Sequence, residues 1–188
     1  MLLSACIGKN WKHILEKNQY ERILDYDHQS IAKTMMENTY GFEHGRCYKI
    51  RNRADTSTVI EFMLGSSNKM VCGHDVTNGE DSHQVFEAVE EDSGEFRIAC
   101  RYQSAEMQHF WDYLPHRKQL IHKKKSTAES SLQLWKSECV PGMDTAFFVI
   151  SVQNGLCLKS NGKNKQVSVV ERNENDPAQH WRLETQPL

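Results

Sequence analysis

The sequence predicts an all-β body closed by threefold internal repetition, preceded by an α-helical extension. Three observations predict it: the apolar period changes near Gly45, three strand openers recur at even spacing, and three Gln-x-aromatic triplets stand in register behind them. With 188 residues the chain is long enough for one domain and an appendage. At 38% hydrophobic and 26% charged it can bury a core and is not disordered by composition. Lys plus Arg number 23 against 25 Asp plus Glu, a net charge of -2, which excludes an overall electrostatic attraction to nucleic acid or anionic membrane. Every apolar run is too short for a membrane-spanning helix.

Residues 1–44 read as the helical extension. Trp11, Ile14, Leu15, Ile23 and Leu24 recur at helical steps with Asn10 as a candidate N-cap, and Ile31, Met35 and Met36 mark one side of a second segment. Tyr40-Gly41-Phe42-Glu43-His44-Gly45 is punctuated as a linker. The first nine residues lack a basic leading region and run into Lys9 and Trp11-Lys12, a poor secretory signal. Six cysteines without a CxxC pair then read as free thiols, mostly buried, so a reducing, cytoplasmic location is expected.

After Gly45 the period is two. Tyr48 and Ile50, then Phe96, Ile98 and Cys100, then Phe148, Ile150 and Val152 alternate with their neighbours as half-buried strands do. Asn154-Gly155 is expected as a two-residue hairpin turn, and Asn78-Gly79, Ser93-Gly94 and Asn161-Gly162 as further turns. The openers Tyr48-Lys49-Ile50, Phe96-Arg97-Ile98 and Phe148-Val149-Ile150 are followed by the closers Gln84-Val85-Phe86, Gln133-Leu134-Trp135 and Gln179-His180-Trp181. Three such units are too few to close a propeller, which leaves a closed body of threefold pseudo-symmetry, with repeats of about 46–92, 93–142 and 143–188.

The three closers and the repeat length resemble the ricin B-type (QxW) β-trefoil lectin family over about 46–188. The resemblance implies twelve strands in three lobes, with the triplet aromatic in the core and the Gln bracing local backbone. It also implies a non-enzymatic, shallow sugar site in each lobe. That site takes an acidic residue near the first hairpin, an aromatic about ten positions before the triplet Gln, and an amide. A carboxylate and an amide satisfy vicinal hydroxyls, while a ring face covers the apolar side of a pyranose.

Carried over residue by residue, the first lobe supplies Glu61, His74 and Gln84, with Asp75 and Asn78 as polar neighbours. Glu stands where the family favours Asp, and His where it favours an aromatic, so Glu61 and His74 read either as sugar contacts or as solvated loop residues. In the second lobe Asp112 is present but the aromatic position falls on Lys123; in the third the two positions fall on Lys159 and Val169. The run Lys123, Lys124, Lys125 is either a site for an anionic group or a solvated loop. The nine histidines show no metal-ligand spacing, so neither a metal nor another cofactor is expected. The expected partner is a glycan. The alternative is a trefoil scaffold that binds proteins through its loops, or self-associates through the apolar face of its N-terminal helices.

Overall fold

The computed structural model describes residues 41–63, 68–75, 82–101, 108–125 and 130–187. The helical pattern expected over 1–44 lies outside them, apart from the Gly41–Gly45 linker. Twelve strands follow in chain order: β1 Cys47–Asn52, β2 Thr58–Phe62, β3 Met70–His74, β4 Phe86–Glu90, β5 Phe96–Cys100, β6 His109–Leu114, β7 Gln119–Lys124, β8 Trp135–Val140, β9 Met143–Ser151, β10 Cys157–Lys159, β11 Ser168–Val170 and β12 Trp181–Gln186. Among the described residues the only helical pieces are short 3₁₀ turns, three of which end on the glutamines of the triplets.

Six strands close into a ring. β1 pairs β4, β4 pairs β5, β5 pairs β8, β8 pairs β9, β9 pairs β12, and β12 returns to β1, all antiparallel. Closure leaves the ring without an exposed edge. Three hairpins, β2–β3, β6–β7 and β10–β11, cap it. They interlock cyclically: His122 N–H donates to Asn68 O, Val169 N–H to Lys118 O, and Cys72 N–H to Lys165 O, each near 3 Å. Asn68, Lys118 and Asn164 hold positive φ beside these carbonyls (47°, 51° and 58°), the same left-handed corner made once per lobe. Twelve strands in this arrangement are a β-trefoil.

The triplet aromatics sit where the ring and the cap meet. Each pairs with the opener of its own lobe and with the last ring position of another: Phe86 with Tyr48 and Cys100, Trp135 with Phe96 and Ser151, Trp181 with Phe147 and Asn52. All three are fully buried in one apolar cluster with Tyr48, Ile60, Trp111 and Leu158. Burying an aromatic of this size removes about 150–250 Å² from water, worth about 4–6 kcal/mol at roughly 25 cal/mol/Å². Trp135 Nε1 donates to Trp111 O at 3.4 Å and Trp181 Nε1 to Leu158 O at 3.1 Å, a bond that Phe86 cannot make in the first lobe.

Three sequence expectations need correction. The third opener begins at Phe147, not Phe148, because Phe147 opposes Trp181 as Tyr48 opposes Phe86. A one-residue slip exchanges the faces of a strand, so Phe147 and Val149 enter the central core while Phe148 and Ile150 join a smaller cluster with Val140, Ala146 and Cys157. The strand openers are also not all half-buried: Arg97 through Cys100 and Ala146 through Ser151 are buried on both faces. Finally, Asn154-Gly155 is not a two-residue hairpin turn. It lies in a connection of five residues closed by Ser151 N–H to Leu156 O at 2.9 Å, with Gly155 at φ 71°.

Of the described cysteines, all free, Cys47, Cys72, Cys100 and Cys157 are buried and Cys139 is exposed. Burial raises the Cys72 and Cys157 thiols to about 11, which keeps them protonated and unreactive at neutral pH.

Candidate functional site

The same brace recurs at each hairpin. Gln84 Nε2 donates to His74 O at 2.7 Å, Gln133 Nε2 to Lys124 O at 3.0 Å, and Gln179 Nε2 to Glu171 O at 3.0 Å. These bonds fix the correspondence between lobes. They set His74 against Lys124 and Glu171, whereas counting back ten residues from each Gln selected Lys123 and Val169. The spans are 10, 9 and 8 residues, so unequal loops defeat a fixed count.

In the first lobe Glu61 is the last residue but one of β2, and it is half-buried. Gln84 Nε2 lies 3.3 Å from its Oε2 while also bracing His74 O, so one amide ties the carboxylate to the end of β3. The carboxylate lies over Gly73. A Cβ on that residue would fall 1.7 Å from Glu61 Oε2, so only glycine leaves the space. Gly73 was not singled out from sequence, although a glycine inside a strand signals a close approach of this kind. His74, at the end of β3, is exposed. The structure therefore brings Glu61, Gln84 and the His74 backbone together. Asn78 lies outside the described residues.

Asp75 points to a different task. Its carboxylate accepts from Lys49 Nζ at 2.7 Å and from Arg51 Nη2, and only 15% of the side chain is exposed. Burial works to raise its pKa, but the two hydrogen bonds and the charges of Arg51 and Lys49 outweigh burial and hold the group below the usual carboxylate range.

The second lobe carries the equivalent acid sealed. Gln133 Nε2 donates to Asp112 Oδ2 at 3.0 Å, as Gln84 does to Glu61, but Asp112 is only 1% exposed. Arg97 from β5 covers the site, donating through Nη1 to Gln133 Oε1 at 2.7 Å and through Nε to Glu91 Oε1 at 2.6 Å. The result is a buried polar network that links Asp112, Gln133, Arg97 and Glu91. Lys123 and Lys124 are exposed on successive positions of β7, hence on opposite faces, and Lys125 lies 3.4 Å from Glu91. The run does not converge on one point.

In the third lobe Lys159 stands at the acidic position and pairs with Asp176 at 2.8 Å. Asp176 also caps the following turn by accepting from Ala178 N–H. An open cleft of about 590 Å³ runs beside them, with Leu156, Val169 and Val170 on its apolar side and Lys118, Arg172 and Asn173 on its polar side. Nothing in the sequence pattern pointed to this cleft, because its residues come from four separate segments.

Among the described residues no three or more His, Cys, Asp or Glu side chains are grouped to hold a metal ion. None of the described helical pieces is long and apolar enough to cross a membrane.

Comparison with solved structures agrees with the topology. The designed threefold-symmetric protein ThreeFoil superposes with a TM-score of 0.58 at 16% identity, over 73% of this chain and 97% of that one. SeviL, solved bound to asialo-GM1 saccharide, superposes at 0.55 and 20% identity, over 75% of this chain and 97% of its own. Cry35Ab1 superposes at 0.59 and 17% identity, but this chain spans only 37% of it. These likenesses define the class by fold: a β-trefoil. No protein-family model and no curated protein matches the sequence.

Proposed function

We propose that the chain is a non-enzymatic, lectin-like module of the ricin B kind that recognises a glycan through shallow loops of its first lobe. Glu61 accepts from sugar hydroxyls, Gln84 holds the carboxylate in place, and the exposed His74 at the end of β3 is a further contact. Asp75, although held by Lys49 and Arg51, and Asn78 are the site's further polar candidates. The observation that carries this reading is the half-exposed Glu61 carboxylate held over Gly73 by Gln84, against the sealed Asp112 and the paired Lys159 at the equivalent positions. The carbohydrate-bound state of SeviL, a protein of the same fold, supports the reading. Under it, His74→Ala and Glu61→Gln each lose glycan retention while thermal stability stays near wild type, as befits exposed or half-exposed contact residues. An intact chain that retains no glycan on a broad array rejects it.

A second reading has its own observation. Two of the three acidic positions offer no accessible carboxylate, as in a trefoil that has given up sugar binding and uses its loops, or the segment before Gly45, to bind a protein partner or itself. Removing that segment then changes the mass in solution or abolishes a pull-down, and sugar binding is absent throughout. A cytoplasmic location fits either reading and is tested by fractionation.

A further inference from the structure

A second charged surface lies at the junction of the first and third lobes and shares no residue with the Glu61, His74 and Gln84 group. Arg51, Arg53, Thr56, Thr145, Arg182 and Glu184 line a cleft of about 360 Å³ there. Arg51 and Arg182 are directly opposed across β1 and β12. Like charges directly opposite are unfavourable unless something compensates them. The carboxylates nearby are already used. Glu184 accepts from Arg51 Nε at 2.7 Å and from Arg51 Nη2 at 2.8 Å, while Asp75 accepts from Lys49 and Arg51. Arg182 Nε reaches Glu184 only at 3.9 Å, beyond a hydrogen bond, and among the described residues Arg53 has no ion pair. Both of these guanidinium groups belong to exposed residues.

The backbone that presents them is built in advance. Asn52 is fully buried, donates to Ala178 O and His180 O, and accepts from Ala54 N–H. Arg53 N–H itself donates to His180 O at 3.0 Å, so the residue is anchored to the third lobe. Asp55 closes the same turn by accepting from Ser57 N–H and Oγ. Thr56 and Thr145, both exposed, also line the cleft.

We propose that this cleft binds a tetrahedral oxoanion, a sulfate or phosphate group, between Arg53 and Arg182, with the threonine hydroxyls completing its shell. The planar fork of a guanidinium matches two oxygens of such a group. The anion supplies the counter-charge that Arg53 and Arg182 lack because Glu184 and Asp75 are taken by Arg51, and the cleft leaves room for the sugar or other body that carries it.

The test uses the full chain with sodium sulfate, inorganic phosphate and galactose 6-sulfate, against sodium chloride at matched ionic strength and unsulfated galactose. Titration calorimetry is expected to show saturable sulfate binding that chloride does not reproduce. Arg53→Ala and Arg182→Ala are each expected to weaken it about tenfold, the loss of one charge-assisted contact, and the pair to abolish it. Neutralising Lys123, Lys124 and Lys125 together should leave it unchanged. Galactose 6-sulfate binding more tightly than sulfate assigns the anion to a glycan; equal affinity assigns it to a free ion. No saturable response overturns the proposal, as does an unchanged response in the double variant or its loss in the lysine variant. Arg182→Ala relieves a like-charge pair, so its melting midpoint without anion should equal or exceed wild type. A clear fall would make Arg182 a structural residue and overturn the proposal too.

Discussion

Gly73→Ala separates the Glu61 carboxylate from the fold around it. The new Cβ would stand 1.7 Å from Glu61 Oε2, 2.9 Å from its Cδ and 3.1 Å from its Cβ. The carboxylate is the end of a half-buried side chain on β2, so it swings outward and gives up the 3.3 Å contact with Gln84 Nε2. A long, half-exposed bond of this kind is worth about 1 kcal/mol. Replacing glycine by alanine at a negative φ returns about 0.4–1 kcal/mol by restricting the unfolded chain. The two nearly cancel, and at roughly 2–4 °C per kcal/mol for a domain of this size the melting midpoint should move by less than about 4 °C. Gln84 still braces His74 O, so the hairpin keeps its place. Glycan affinity should fall about tenfold to a hundredfold, the loss of a charged hydrogen-bonding group from the site. Thermal melting and glycan titration on the same sample read both quantities. Wild-type affinity would refute the role of the carboxylate, and a midpoint lower by more than about 10 °C would refute the claim that Glu61 is free to move.

Further predictions concern the core, the sealed lobe and pH. Trp181→Phe removes the donor to Leu158 O and should cost about 1–3 kcal/mol in urea unfolding, whereas Trp181→Ala should cost about 3–5 kcal/mol. Asp112→Ala strips Gln133 of a buried acceptor in the Arg97 network and should cost at least about 2 kcal/mol, while Glu61→Gln should cost less than about 1 kcal/mol; equal costs would contradict the sealed-versus-open contrast. His109 and His122 meet Nδ1 to Nδ1 at 2.7 Å, with His122 Nε2 at 3.3 Å from Met63 O. Burial holds both below the usual histidine range, and likewise His180. Below pH 6.5 the unfolded chain therefore binds more protons than the folded one. Stability should be complete above that value and decline as pH falls through it, and urea midpoints flat from pH 7.5 to 5 would contradict this.

The threefold plan was legible because the triplet residues have roles that few others fill. An amide spans a backbone carbonyl, and a large ring fills the junction of ring and cap. The third opener was misread by one position because Phe147 and Phe148 are both apolar and both buried, so alternation does not say which faces the centre. The chemistry was less legible. Whether an acid is open or sealed depends on a residue far away in the chain: Arg97 closes over Gln133 from 36 residues upstream, and no local pattern reports it. Asp75 looked like a sugar contact because it adjoins His74, but Lys49 and Arg51 reach it from 26 and 24 residues away. The arginine-lined cleft was missed for the same reason, since β1 and β12 are neighbours only after the ring has closed.

The most direct measurement is retention of the intact chain on a broad glycan array, run beside Glu61→Gln and an Asp112→Asn variant shown to be folded. The account predicts that wild type and Asp112→Asn retain the same saccharides and that Glu61→Gln loses them. Retention that survives Glu61→Gln, or no retention by the wild-type chain, would contradict it.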